Sequence, residues 1–406
     1  MSGAAVRVLL FNAGSSSLKA TLVEAGGGRV LAHASADWAG PVTRYVCTGP
    51  AAARVSEEVS WRGHAEAVER ALGDLVEEPG RSDAPLVAVG HRVVHGGAFR
   101  ASVRIAPEVR SRIAALAELA PLHNPPGLET LAAAEAELPD VPHVAVFDTA
   151  FHASLPPAAR TYAVPEAWTR DWGIRRYGFH GLSHAYCTGR AAEMLGRSAA
   201  ELRLVICHLG HGCSAAAVLH GRCVDTTMGF TPLDGLVMAT RSGAVDPGIL
   251  LHVQRHHGLS AKDLEEALNH QSGLRGVSGL SGDMREVLAA ARAGDERARL
   301  AVDVYTHRVR QAVGALTATL GGIDALVFTA GVGENAAAVR AASCRGLECL
   351  GLELDPEANE QCRPDADVAR PGSRVRVLVI AAREDVTMLR EVMQVVGTPA
   401  PAGAPR

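Results

Sequence analysis

Two arginines and two carboxylates stand where a solvated charge is out of place. Arg92 lies between apolar residues and a Gly pair in GHRVVHGG, and Arg241 lies in the Gly-rich DGLVMATRSGAVDPG. A guanidinium so placed is suited to gripping phosphoryl or carboxylate oxygens through two parallel hydrogen bonds. The abundance of arginine is no argument in itself, because Lys19 and Lys262 are the only lysines and the whole chain favours Arg. Asp148 follows the apolar VPHVAVF, and Glu384 follows VRVLVIAAR. Carboxylates at strand ends hold magnesium beside phosphates in some proteins and cap the next helix in others. Among 17 histidines, His123 in LAPLHNPPGLETL and His180 in RRYGFHGLSH have the most suggestive surroundings. For a single histidine, a hydrogen-bonded structural role remains the commoner one.

Glycine-rich turns accompany these groups. FNAGSSSLK joins an apolar run, Val6 to Phe11, to a second strand near Leu18 to Glu24. Small residues, hydroxyls and backbone N–H groups there can approach an anion closely, although an ordinary hairpin also uses Gly and Ser. No G-x-x-x-x-G-K-[ST] string occurs, so a Walker-type site is not expected. Gly331, Gly333 and Ala336 match G-x-G-x-x-A, with Asp355 some way beyond. That turn comes too late in the chain for a first β–α unit, and it reads instead as a turn near a nucleotide. SGLSGDMREV places Asp283 and Arg285 at a helix start.

The elements that must carry these groups alternate between strand and helix. LRLVICHLGHGCSAAAVLHGRCVDTTMG repeats the opening pattern, so that Val6 falls on Leu202, Asn12 on His208, Gly14 on Gly210 and Ser16 on Gly212. Two related half-molecules follow from this, and chance likeness of two hairpins is the alternative. Ser183 is placed to cap a helix beginning HAYCTGRAAEML. AKDLEEALNH, DERARLAVDVYTHRVRQAVGALTATLG and EVLAAARA have helical periodicity, and DALVFTAGVGENAAAVRAAS reads as strand, Gly-rich turn and helix. The fold class is therefore α/β. At 406 residues, 48% hydrophobic and 21% charged, the chain suits a globular protein of two domains. A net charge of −4 gives no support to nucleic-acid binding, and no apolar run is long enough to cross a membrane. The eight cysteines form no C-x-x-C pair and no signal peptide pattern precedes them, as expected of reduced thiols in the cytoplasm.

Taken together, NAGSSSLK, GHRVVHGG, PLHNP, FDTAFH, GIRRYGFHGLSH, HLGHG, DTTMGFTPLDGLVMATRSGAVDP and GVGEN resemble the acetate kinase family in fixed order across nearly the whole chain. The resemblance implies two duplicated domains of the actin-like ATPase and sugar-kinase type around a central nucleotide cleft. It implies reversible transfer of the ATP γ-phosphoryl group to acetate, giving acetyl phosphate and ADP, with magnesium, or manganese in its place, as cofactor. By the same resemblance Arg92 and Arg241 hold carboxylate and phosphoryl oxygens, His180 donates to the transferring group, and His123 assists. Asp148 and Glu384 position the metal, with Asn12. Asn12, Ser15, Ser17 and Lys19 line the phosphate side, opposite His208, Gly210, His211 and Gly212. Asp283, Met284, Arg285, Gly331, Val332, Gly333 and Asn335 surround the nucleotide. Val93, Leu122, Phe179 and Pro232 line the acyl methyl site. A homodimer is implied, with no nucleic-acid or membrane partner.

The implied domains are residues 1–150 with a returning helix at about 386–397, and 151–385, followed by a flexible tail at 398–406. Departures from the family pattern are His211 for the usual Asn, Cys213 for Gly, and Arg383 beside Glu384. His211 can titrate, Cys213 adds bulk to its turn, and Arg383 could pair with the carboxylate expected to face the metal. These three favour a catalytically weakened nucleotide-binding regulator as one alternative. A propionate or other short-chain acyl kinase is another.

Overall fold

The computed structural model describes residues 6–49, 55–77, 84–120 and 123–397. Leu122 and the tail at 398–406 lie outside the described residues. The chain divides into two compact units, one from Met1–Phe151 with Arg383–Arg406, the other from His152–Ala382.

Among the described residues of the first unit, eight strands form one sheet: β1 (Arg7–Gly14), β2 (Ser17–Glu24), β3 (Arg29–Asp37), β4 (Thr43–Thr48), β5 (Val55–Val59), β6 (Leu86–Val93), β7 (Val103–Arg104) and β8 (His143–Phe147). Their order is β5-β4-β3-β2-β1-β6-β8-β7. Strand β1 is apolar on both faces, as suits a central strand covered on both sides. Leu9 and Phe11 pack with Val68, Leu72 and Ala134 from the helices His64–Leu72 and Asn124–Glu137. The alternate residue Leu10 points the other way, toward the helix Glu384–Val396, which packs on β6, β8 and β1. Gly90 of β6 makes that contact possible, since a Cβ there would lie 2.6 Å from Val392 and 2.9 Å from Leu10. By the same alternation Asn12 faces the side on which that helix lies.

The second unit contains β9 (Arg203–Leu209), β10 (Cys213–Leu219), β11 (Arg222–Thr226), β12 (Ala325–Thr329), β13 (Ala366–Asp367) and β14 (Arg376–Val379), in the order β11-β10-β9-β12-β14-β13. The two sheets share one plan. In each, the last of three consecutive antiparallel strands is the central one, β1 or β9, and two parallel strands follow it. The repeat seen in the sequence is therefore a duplication of topology. Registers make it specific: Phe11 aligns with His91 as Cys207 aligns with Phe328. Stepping along both registers, Asn12, Arg92 and Asp148 of the first unit correspond to His208, Thr329 and Ala382 of the second. The plan is shared, but the ionisable groups at these positions are not.

Two local expectations need correction. The helix after RRYGFH starts at Gly181, so Ser183 lies inside it and His180 is the N-cap residue. The GVGEN segment is a short helix, Ala330–Asn335, continuing directly from β12, so Gly331 and Gly333 are helical residues and no open turn. Asp355 caps the helix Pro356–Glu360 by accepting from the N–H of Ala358. Among the described residues, no helix is long and apolar enough to cross a membrane.

A buried histidine pair beside Arg92 makes the first unit sensitive to acid. His143 Nε2 lies 3.1 Å from the Leu138 carbonyl, which can only accept, so its Nδ1 is a lone pair. That lone pair accepts from His91 Nε2 at 2.9 Å. Burial pushes His91 well below the ordinary imidazole value, reinforced by His143, and burial also lowers His143. Folded values below the unfolded ones mean that the unfolded chain takes up protons first. This contribution to stability is thus complete above about pH 6.5 and is lost as the pH falls below it. The expected Tm is highest at or above neutrality and declines on acidification. In His91→Gln, which keeps a donor toward His143 but cannot titrate, a thermal series against pH should show a shallower decline.

Candidate functional site

In the first unit, Asn12, Arg92 and Asp148 come from the carboxyl ends of three adjacent parallel strands, β1, β6 and β8, where open α/β sheets place their ligands. Arg92 donates from Nε to Asp148 Oδ1 at 3.2 Å and from Nη2 to Oδ2 at 2.6 Å, a bidentate pair. Its Nη1 donates to Asn12 Oδ1 at 3.1 Å and lies 3.6 Å from Glu384 Oε2. Asp148 is fully buried. Burial opposes the Arg92 charge, but Asp148 and then Glu384 outweigh it and hold its pKa above the ordinary value. Glu384 is raised, chiefly by burial and also by Asp148, with Arg92 and Lys19 pulling the other way. Lys19 pairs across the β1–β2 ladder with Asn12, so both side chains share one face. Ser15 and Ser16 form the two-residue turn, and Ser17 opens β2 opposite Gly14.

Two carboxylates and an amide oxygen thus meet around one guanidinium. Among the described residues, no three His, Cys, Asp or Glu side chains gather into a metal cage. One or two carboxylates, with phosphates and waters completing the shell, is what magnesium ordinarily takes. Arg92 is the guanidinium that both carboxylates face, paired with Asp148 and 3.6 Å from Glu384. The donor set therefore fits a hard divalent ion. His123 is the N-cap residue of the helix Asn124–Glu137, and its carbonyl accepts from Gly127 N–H.

In the second unit, His180, His208, Gly212 and Arg241 converge. His180 holds a left-handed backbone, φ 57°, uncommon for a residue other than glycine. Its ring stacks on His208 with centroids 4.1 Å apart, and its Nδ1 lies 3.0 Å from Ser214 Oγ. His208 Nδ1 lies 2.8 Å from Ser183 Oγ. Gly212 shows what lies above the turn: a Cβ there would meet His180 Nε2 at 3.3 Å and Arg241 Nη1 at 3.6 Å. A side chain would therefore occupy the space the imidazole edge and the guanidinium both face. Arg241 Nη1 also donates to the Pro232 carbonyl at 3.4 Å. Burial lowers the Arg241 pKa, against the pull of Cys213. Its charge is kept in poor solvent, where it acts strongly on a nearby anion.

A cavity of about 1520 Å³ opens within the same unit. Gly210, His211, Asp283, Met284, Arg285, Gly331, Val332 and Asn335 all line it. His208, Gly212 and Gly333 do not line it, although Gly212 and Gly333 each adjoin a residue that does. Asp283 caps the helix Met284–Arg292 and pairs with Arg285, whose side chain and backbone N–H hold its carboxyl down at about 2. The cavity also has walls that residue pattern did not reveal, among them Arg275, Arg299 and Arg340. Arg340, fully buried, donates to the carbonyls of Gly333 and Glu334 and to both oxygens of Asn359, fixing the end of the helix Ala330–Asn335. In a chain this rich in arginine, no sequence signal sets it apart.

The chain matches the Acetokinase family over residues 7–390. It belongs to that family. It is 46% identical to an acetate kinase from a Cyanothece species, covering 97% of this chain and 99% of that one. Its fold matches the crystal structure of an acetate kinase from Porphyromonas gingivalis, with TM-score 0.88 and 40% identity over 96% of this chain and 100% of the other. A propionate kinase from Francisella tularensis matches with TM-score 0.89 and 37% identity, at the same coverage. The α/β fold, with its duplicated sheets, is that of these acyl kinases.

Against the Acetokinase family pattern, the three departures have structural outcomes. Arg383 makes a bidentate pair with Asp385, at 2.8 Å for Nη2 to Oδ2. Cys213 is buried, donates to the Gly210 carbonyl at 3.4 Å and meets the Tyr305 hydroxyl at 3.2 Å, so its bulk is built into the turn. His211 lines the cavity, and burial first, then Arg241 and His270, lower its pKa and favour the neutral ring. Of the acyl residues, Val93 is buried with Ile113, Ala145 and Phe147 in the first unit. Phe179 and Pro232 belong to the second unit, where the Phe179 carbonyl accepts from His152 Nε2 at 2.9 Å.

Proposed function

We propose that this chain is an acetate kinase, transferring the γ-phosphoryl group of ATP reversibly to acetate to give acetyl phosphate and ADP. The observation that supports it most is the approach of Arg241 and the Nε2 edge of His180 over Gly212, in a member of the Acetokinase family. An acetate oxygen attacks the γ-phosphorus in line, the bond to the bridging oxygen of ADP breaks, and its electron pair leaves with ADP. No proton moves, because a carboxylate is already ionised at neutral pH. The demand is for positioning and for balancing charge on three phosphoryl oxygens, which Arg241 and His180 can meet with donors held in advance. Arg92 pairs with Asp148 beside Glu384 and offers its Nη1 edge to acyl or phosphoryl oxygens, and His123 assists. Magnesium, or manganese in its place, would be held by Asp148 and Glu384 with Asn12, and when bound it supplies charge neutralisation at the phosphates.

The reading extends to binding. ADP and ATP occupy the cavity lined by His211, Asp283, Met284, Arg285, Gly331, Val332 and Asn335, with Gly333 behind it. By family likeness, Asn12, Ser15, Ser17 and Lys19 of the first unit and His208, Gly210 and Gly212 of the second are assigned to the phosphates. By the same likeness, Val93, Leu122, Phe179 and Pro232 are assigned to the acyl group. Family likeness also supports a homodimer in the cytoplasm.

The test is to incubate the protein with ATP, magnesium and C2 to C4 carboxylates and to trap acyl phosphate with hydroxylamine. Acetate should give the most product, with kcat/KM for propionate lower by roughly 10- to 200-fold, the cost of one methylene in a small slot. Propionate as the better substrate would make the chain a propionate kinase, a reading the match to the Francisella structure favours. No product from any acid would overturn both and leave a nucleotide-binding regulator. The pairing of Arg383 with Asp385 removes one reason for that last reading.

A further inference from the structure

The role given to His180 sets a demand that the residue cannot meet alone. A neutral imidazole donates from one nitrogen only, so Nε2 carries the proton toward the phosphoryl group only if Nδ1 is a lone pair. Nδ1 lies 3.0 Å from Ser214 Oγ, and the same oxygen lies 2.8 Å from His184 Nε2. Ser214 and His184 are both fully buried. A serine hydroxyl has a single proton, so it can donate to one of these two rings while accepting from the other.

We propose that Ser214 and His184 are positioning residues that set the tautomer of His180, with His184 Nε2–H donating to Ser214 Oγ and Ser214 Oγ–H donating to His180 Nδ1. The inference rests on the phosphoryl-donor role of His180. The direction follows from what each group can be. Burial holds His184 neutral, with one proton to place, and the nearby rings of His152 and His208 reinforce that. With the proton on Nε2 the chain runs outward and leaves His180 Nε2–H facing Arg241 and the space above Gly212. In the opposite sense, His180 would present a lone pair to an incoming phosphoryl oxygen, which is repulsive.

The fold places these groups together. Ser214 on β10 and His208 on β9 are direct cross-strand partners, so their side chains share a face. His180 lies over that face, its ring on His208 at an interplanar angle of 20° and its Nδ1 on the serine. His184 lies one turn along the helix Gly181–Leu195 and reaches the same hydroxyl. Rotation of the His180 ring is limited by stacking, and its proton is placed by the hydroxyl.

The direct test is the 15N spectrum of the imidazole nitrogens in the full chain at pH 7.5, assigned with His180→Gln and His184→Gln. The expected result is Nε2–H in both rings. A His180 carrying its proton on Nδ1, or on both nitrogens, overturns the proposal without any activity measurement. Ser214→Ala should move His180 away from the Nε2–H form and lower kcat roughly 10- to 100-fold, with KM for ATP and acetate within about twofold. Ser214→Thr, which restores a hydroxyl, should recover both the tautomer and most of kcat. An unchanged tautomer or unchanged kcat in Ser214→Ala overturns the proposal, and failure of Ser214→Thr to recover either does the same. If the wild-type chain makes no acyl phosphate, the functional reading fails, while the spectrum still reports on the relay.

Discussion

Arg241→Ala should lower kcat by roughly 1,000-fold, the scale at which a phosphoryl-directed arginine or donor usually acts. It should leave Tm unchanged or slightly higher. Both expectations come from one feature. Burial lowers the pKa of Arg241, so the fold holds this charge at a cost in stability, and its bond to the Pro232 carbonyl is long at 3.4 Å. A charge kept in poor solvent for catalysis is a stability loss, and removing it relieves that loss. Arg241→Lys should recover little activity, because an ammonium lacks the planar fork that reaches two oxygens at once. Steady-state acyl phosphate formation with a thermal melt on the same sample decides the matter. A fall in Tm of ten degrees or so would make Arg241 a structural residue.

Much of this arrangement was legible in the residues, and the exceptions have physical reasons. The strand hairpins at Val6 and Leu202 were readable because a buried central strand needs a continuous apolar run, and their likeness predicted the shared strand order now seen in both sheets. Asp148 and Glu384 were readable as charged residues closing apolar runs. The start of the helix at Gly181 was not readable, since it depends on a left-handed histidine that local preference argues against. The GVGEN segment read as a turn because its glycines disfavour helix, but Arg340 ties the carbonyls of Gly333 and Glu334 from outside. Ser214 was wholly silent: in CSAAAV it looks like one more small residue of a buried strand. Its significance comes from pairing register and from two histidines on a neighbouring helix, and neither is a property of the local sequence.

At Arg92 the outcome of substitution should differ in kind. Arg92→Ala should abolish turnover and also lower stability by about 3–5 kcal/mol, the usual cost of breaking a buried ion pair from one side. For a unit of this size that is a fall in Tm on the order of 10 °C. The cause is Asp148, fully buried and gripped by both Nε and Nη2, which would be left as an uncompensated buried carboxylate with Glu384 close by. A double-mutant cycle separates the two losses. Arg92→Ala combined with Asp148→Asn removes both charges, and should regain much of the lost Tm while recovering no activity. If Arg92→Ala melts like wild type, the bidentate pair contributes nothing to folding. If the double variant melts lower still, the loss came from packing of the guanidinium and not from the stranded charge. A full recovery of Tm without turnover would show that the first unit retains this pair for its chemistry at the carboxyl ends of β1, β6 and β8. The corresponding positions of the second unit, His208, Thr329 and Ala382, make the same fold with no ion pair among them.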